Sequence, residues 1–169
     1  MNARVDNRIV AWQEAYALDL PEIDAQHQVL FDLMNALWHA IIVRAPAQET
    51  LALVSELERY TIVHFTEEET FMRRAGYSRF DAHKHAHDRF VARVAEEKAR
   101  IEAGAPFGLE ILHFLKDWLV QHILVEDRCY ADEIRDRQSR PDAQAPSLRG
   151  LSRYLRRLGL GRSAQGEHR

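Results

Sequence analysis

His64-Phe65-Thr66-Glu67-Glu68-Glu69, followed by His83-Lys84-His85-Ala86-His87, is the stretch on which the reading of this chain turns. On a helix, His64 and Glu68 are four residues apart, so both project from one face about a turn apart. His83 and His87 repeat that relation on what the pattern predicts to be the next helix. Two more segments carry the same residue types: Asp24-Ala25-Gln26-His27 upstream, and His122-Ile123-Leu124-Val125-Glu126-Asp127 downstream. Imidazole suits iron, zinc and copper, whereas carboxylates suit harder ions and can bridge two of them. Five imidazoles (His27, His64, His83, His87, His122) and two carboxylates (Glu68, Asp127) exceed what one tetrahedral zinc needs and can serve two ions. Iron is the best chemical match, with manganese or misincorporated zinc behind it.

Hydrophobic periodicity around these residues predicts an all-α fold. Pro21, Glu22 and Asp24 suit a first helical turn, and His27, Leu30, Met34, Leu37 and Ile41 follow at steps of three and four until Pro46 stops the pattern. A second helix, about residues 48–75, has the stripe Leu53, Leu57, Tyr60, His64, Glu68 and Phe71 or Met72, with Gly76 as its C-cap. A third runs from Ser78 or Asp81 to Gly104, with His83, His87, Phe90, Val94 and Ile101 inward. A fourth, about 107–137, turns Ile111, Leu115, Trp118, His122 and Val125 inward. Short connections favour antiparallel neighbours, hence an up-down-up-down four-helix bundle. One spacing is awkward: Asp127 follows His122 by five residues, about 140° round an ideal helix. A carboxylate reaching across to a second ion would relieve it.

The composition agrees. At 169 residues, with only seven Gly and five Pro, the chain is long enough for one cored domain and poor in helix breakers. The single Cys129 cannot form an internal disulfide and fits a reducing cytosol. No signal peptide or membrane span is evident, so a soluble cytoplasmic protein is expected. The net charge of −3 divides unevenly: residues 135–169 hold nine Arg and three acids. The expected organisation is an N-terminal arm (1–20) with Trp12 and Tyr16 as anchors, a bundle (21–138), and an Arg-rich extension (139–169). That extension opens on a linker, Ser139 to Pro146, and carries Leu148, Leu151, Tyr154, Leu155 and Leu158 on one helical face.

Taken together the residues resemble the hemerythrin family, especially its single-domain bacterial members. The order His, His-x-x-x-Glu, His-x-x-x-His, His-x-x-x-x-Asp is reproduced whole. So is the local wording: Ile23-Asp24-x-Gln26-His27, His64-Phe65-x-x-Glu68-Glu69, Met72 then Gly76-Tyr77, and Trp118-Leu119-x-x-His122-Ile123. The resemblance covers roughly residues 10–133. It implies two Fe ions joined by an oxo or hydroxo bridge, with O2 as ligand. His83, His87 and His122 would hold one iron, His27 and His64 the other, and Glu68 and Asp127 would bridge. O2 would bind at the second iron within a pocket of Leu30, Phe65, Trp118, Leu119 and Ile123.

Carrying, storing or sensing O2 is favoured over turnover. If O2 takes up two electrons and the bridging hydroxide's proton and stays bound, the centre keeps one net charge throughout, and a dry pocket penalises any change of charge. Glu-x-x-His di-iron oxidases also offer more carboxylates than this set. The alternative is a di-iron redox enzyme, or a redox- or NO-responsive signalling module acting through the basic tail. Of the neighbouring groups, Glu67, Glu69, Glu126, His85 and His113 are expected to face solvent. His39 and His168 receive no role, and Cys129 reads as a spectator. Residues 147–158 could contact an acidic protein partner or, weakly, a membrane surface. Nucleic-acid binding is not expected of a tail without Lys and with Tyr154 as its one aromatic.

Overall fold

The structure, a computed structural model, describes residues 8–139. The basic segment 147–158 and its linker (beyond Ser139) lie outside the described residues. Helices α1 (Pro21–Ile42), α2 (Ala47–Ala75) and α3 (Phe80–Glu102) are followed by α4 (Leu109–Gln121), a π-helical turn (His122–Asp127) and α5 (Arg128–Gln138). The backbone stays right-handed helical through both junctions of the last three, so they form one long fourth helix. The result is an all-α four-helix bundle in which α2 packs against α1 and α3, and α1 also against α4. No strand occurs among the described residues.

Local chemistry sets the helix ends. Pro21 occupies the first turn of α1, where its missing N–H costs nothing. Asp24 accepts the Leu18 and Leu20 amides at 2.9 and 3.3 Å and so ties the arm to that turn. Further along, Asn35 accepts the Ile9 and Val10 amides and donates to the Val10 carbonyl, while Trp12, Tyr16 and Phe31 pack edge to face. At the end of α2, Gly76 adopts φ 67°, ψ 38°. Its amide bonds to the Arg73 carbonyl, and that of Tyr77 to Met72, satisfying carbonyls the helix leaves open.

Arg44 plays the corresponding part after α1, with the Ala45 amide bonded to the Ala40 carbonyl, but at φ 52°. A side chain there costs on the order of 1–2 kcal/mol, partly offset by the extra freedom glycine brings to the unfolded chain. Arg44→Gly is therefore expected to stabilise the bundle by about 0.5–1 kcal/mol, read as a higher denaturation midpoint at unchanged slope.

The core has two parts. One is centred on Leu30, Met34, Leu57, Phe65, Phe90, Leu115, Leu119 and Ile123, the other on Leu18, Ile23, Met72, Tyr77, Tyr130 and Ile134. Each long helix passes from one to the other, and each crosses over at its His and carboxylate residues. His27 lies between Ile23 and Leu30, His64 and Glu68 between Tyr60 and Phe71, and His83 and His87 between Tyr77 and Phe90. The fold thus sandwiches a polar layer between two apolar ones.

Candidate metal centre

All seven predicted metal-site residues meet in that layer. His27, His64, Glu68, His83, His87, His122 and Asp127 are each exposed by 4% or less. The Nε2 atoms of His83, His87 and His122 form a triangle with edges of 3.0, 2.9 and 3.2 Å. Hydrogen bonding cannot account for this triangle. A neutral imidazole nitrogen carries either a proton or a lone pair, so two of the three must be alike, and that pair repels. A cation that accepts all three lone pairs removes the conflict. Three nitrogens about 2.1 Å from one ion and at right angles to each other would lie about 3.0 Å apart, which the observed edges match.

A second group consists of His27, His64 and Glu68, whose ligand-type atoms lie within 4.8 Å of one another. Asp127 straddles the two groups. Its Oδ1 is 3.1 Å from His122 and 3.4 Å from His83, and its Oδ2 is 3.3 Å from His27. Glu68 belongs to both: Oε2 lies 3.1 Å from His87, 3.7 Å from His83 and 4.0 Å from His64. Both oxygens of Glu68 and Asp127, both nitrogens of His27 and Nε2 of His64 are buried without a hydrogen-bond partner. Such groups are costly unless something else satisfies them. The donor set fits two cations sharing carboxylates.

The π-helical turn resolves the awkward spacing of His122 and Asp127. Hydrogen bonds from i to i+5 take up one residue more than an α-turn and bring the two side chains to one face. One expectation is thereby corrected: Val125 does not face inward but is 41% exposed, as is Leu124 at 38%. The extra residue is accommodated on the outer side. Deleting Val125 is expected to let the segment close as ordinary α-helix, with His122 and Asp127 four apart and still aligned. Helical content and metal stoichiometry should survive, as circular dichroism and metal analysis would show.

Without ions, the surroundings pull the imidazoles apart electrically. Burial holds His64 down to about 3 despite Glu68 nearby. Burial would also lower His87, but the carboxylates of Glu68 and Glu69 beside it outweigh burial and raise it to about 9. Glu68 and Asp127 resist the upward push of burial; their histidine neighbours keep the first well below its usual value and the second at about 2.

The five residues expected to line an apolar pocket also come together. Leu30, Phe65, Leu119 and Ile123 are buried, and Trp118 half-buried, in one cluster. Phe65 stacks on His87 (centroids 3.6 Å apart, planes 3° from parallel) and lies 5.4 Å from His64. Trp118 stacks on His122 at 4.4 Å.

Two glutamates overturn their expected solvent-facing placement. Glu67 is buried and accepts from Gln26 Nε2 at 2.5 Å, while Gln26 Oε1 sits 2.8 Å from His64 Nδ1. Glu69 is only 14% exposed and lies 3.2 Å from His87 Nδ1, with Lys84 at 3.7 Å on its far side. The glutamine in Gln26-His27 and the run of three glutamates were the signals available for both. Tyr130, fully buried 5.7 Å from His83, was also not anticipated. His85 and His113 are exposed, Glu126 is half-buried, and Cys129 is a half-buried free thiol.

Comparison with known proteins agrees with this geometry. The family described as the Hemerythrin HHE cation binding domain matches residues 18–134. A bacteriohemerythrin of Pseudomonas aeruginosa is 34% identical over 149 residues, covering 88% of this chain and 97% of the relative. One from Stenotrophomonas maltophilia is 31% identical over 152 residues, 89% of this chain and 97% of the relative. A hemerythrin from Sipunculus nudus is 33% identical over 70% of this chain and 88% of its own. A crystal structure of wild-type hemerythrin superposes with a TM-score of 0.69 at 32% identity, covering 73% of this chain and 96% of that one. This chain belongs to the hemerythrin family.

Proposed function

We propose that the protein binds O2 reversibly at a non-haem di-iron centre and turns over no substrate. The observation that carries this reading is the pair of buried donor groups, one of three imidazoles and one of two, with Asp127 and Glu68 shared between them. His83, His87 and His122 would hold one iron, His27 and His64 the other, and Glu68 and Asp127 would be shared between them. A di-iron centre held there would supply the two electrons that O2 borrows on binding and returns on release.

The chain's own residues make that loan recoverable. Glu68 and Asp127 offset part of the ions' charge where the dielectric is low, so neither can be exchanged for a neutral side chain without cost. Leu30, Phe65, Leu119 and Ile123, with the ring of Trp118, keep out water and the protons that would carry reduced oxygen away. Phe65 and Trp118 also hold His87 and His122 flat against them, which restricts both rings. The three-to-two division of imidazoles leaves one side with fewer protein donors, and that side would have room for O2.

Residues 21–138 are the oxygen-binding unit, and within the Arg-rich sequence 139–169 the basic stretch 147–158 has the charge to meet an acidic protein partner or, weakly, a membrane surface. No helix among the described residues is long and apolar enough to cross a membrane. The free thiol of Cys129 is compatible with a cytoplasmic location. An oxygen electrode tests the absence of turnover. With a chemical reductant in excess, O2 consumption should stop once the protein is saturated. Sustained consumption proportional to protein would make it an oxidase.

A further inference from the structure

We infer that Gln26 and Glu67 are positioning residues that fix the tautomer of His64, with Glu67 setting the direction of the whole chain of hydrogen bonds. The inference deepens the reading above, since it takes His64 to be a metal ligand. Three buried polar side chains stand in a row: Glu67 Oε2 accepts from Gln26 Nε2 at 2.5 Å, and Gln26 Oε1 lies 2.8 Å from His64 Nδ1. Both Gln26 and Glu67 are more than nine-tenths buried, so water does not set their orientation.

The two ends of a glutamine amide have nearly the same shape, and only hydrogen-bond partners tell them apart. A carboxylate accepts and cannot donate. Facing Glu67, the amide must therefore present its NH2 end, which turns its carbonyl toward His64. A carbonyl in turn only accepts, so His64 Nδ1 must carry the proton. A neutral imidazole has a single N–H, and Nε2 is left with its lone pair. That atom is buried, has no hydrogen-bond partner and faces the cluster 4.0 Å from Glu68 Oε2. A negative charge two residues removed along the hydrogen-bond path thus prepares the imidazole to receive a cation.

Glu67→Gln is then more than a loss of charge. With amides at both positions, either can turn round. Gln26 can then donate its NH2 to an unprotonated Nδ1, and the imidazole proton moves to Nε2, where it blocks the ion. Exchanging the pair restores the order. In the double variant Gln26→Glu/Glu67→Gln, an acceptor again faces Nδ1 and an amide donor stands behind it. A purely structural role for the two residues predicts no such rescue.

The full chain, labelled with 15N-histidine and freed of metal by chelation, provides the first readout, its imidazole tautomers by NMR. Titration with Co(II) alone, followed by its visible absorption, provides the second. The wild-type chain should show His64 as the Nδ1–H tautomer and take up two Co(II) ions. Glu67→Gln should shift His64 toward Nε2–H and weaken one Co(II) site by about 10–100-fold, the range typical of lost ligand-orienting contacts. The double variant should recover most of that loss. An Nε2–H tautomer in the wild-type chain would overturn the inference even if no variant folds. So would unchanged Co(II) binding in Glu67→Gln, or a double variant no better than the single one. A wild-type chain that takes up no Co(II) would instead overturn the metal assignment beneath it, a separate and recognisable result.

Discussion

Glu68→Ala is expected to leave the purified protein with almost no bound metal, whereas His64→Ala should lose one ion and keep the other. The difference follows from position. Glu68 is fully buried and its Oε2 reaches His87, His83 and His64, so it belongs to both donor groups. It is also one of only two carboxylates among the seven residues. The imidazoles bring no negative charge, and two divalent cations held against Asp127 alone would stand nearly uncompensated between two apolar layers. His64 belongs to one group only, and removing it leaves the His83, His87 and His122 triangle intact. Metal analysis by mass spectrometry, with circular dichroism to establish that the bundle is formed, reads both outcomes. Two ions retained by Glu68→Ala would show that its carboxylate is not shared.

The second large effect is acid lability of the ion-free protein. Burial keeps His64 neutral down to about pH 3, while in the unfolded chain it titrates near its ordinary value of 6.5. Between these limits the unfolded state holds more protons than the folded one, so stability falls as pH falls. The ceiling for this one group is about 5 kcal/mol. Asp127, held at about 2, adds a further loss below the ordinary range for aspartate. His87 acts in the opposite sense. Raised to about 9, it contributes stability that is fully present below 6.5 and is lost as pH rises through 9. The ion-free bundle should therefore unfold at markedly lower urea at pH 4.5 than at pH 6.5, with an unchanged slope. The metal-loaded protein should also fail in acid, because each imidazole must be deprotonated to hold its ion. Equal urea midpoints at the two pH values would mean that His64 is not held neutral.

The four helices were legible because apolar residues recur along each at helical spacing and because Pro21, Pro46 and Gly76 mark boundaries. The seven clustered residues were legible because they occupy the core stripe, where unpaired polar groups are costly. What escaped were the flanking placements that a neighbouring helix decides. Glu67 lies about 60° round α2 from His64, on a flank that only α1 makes interior. Glu69 lies on the other flank, toward α3. No periodicity within α2 says how wide its buried arc will be. The exposure of Val125 escaped because an ideal helix was assumed through His122–Asp127, although the five-residue spacing already signalled that something had to give.

Reversible O2 binding at two irons can be put to a direct test. Iron content is determined on protein expressed with iron available. The visible spectrum is then recorded after anaerobic reduction, after admitting O2, and after removing it again. Two irons per chain are expected, with a charge-transfer band that appears with O2 and disappears on its removal. A chain without iron would refute the proposed centre, and a band that persists because the irons oxidise once and do not return would refute reversible binding.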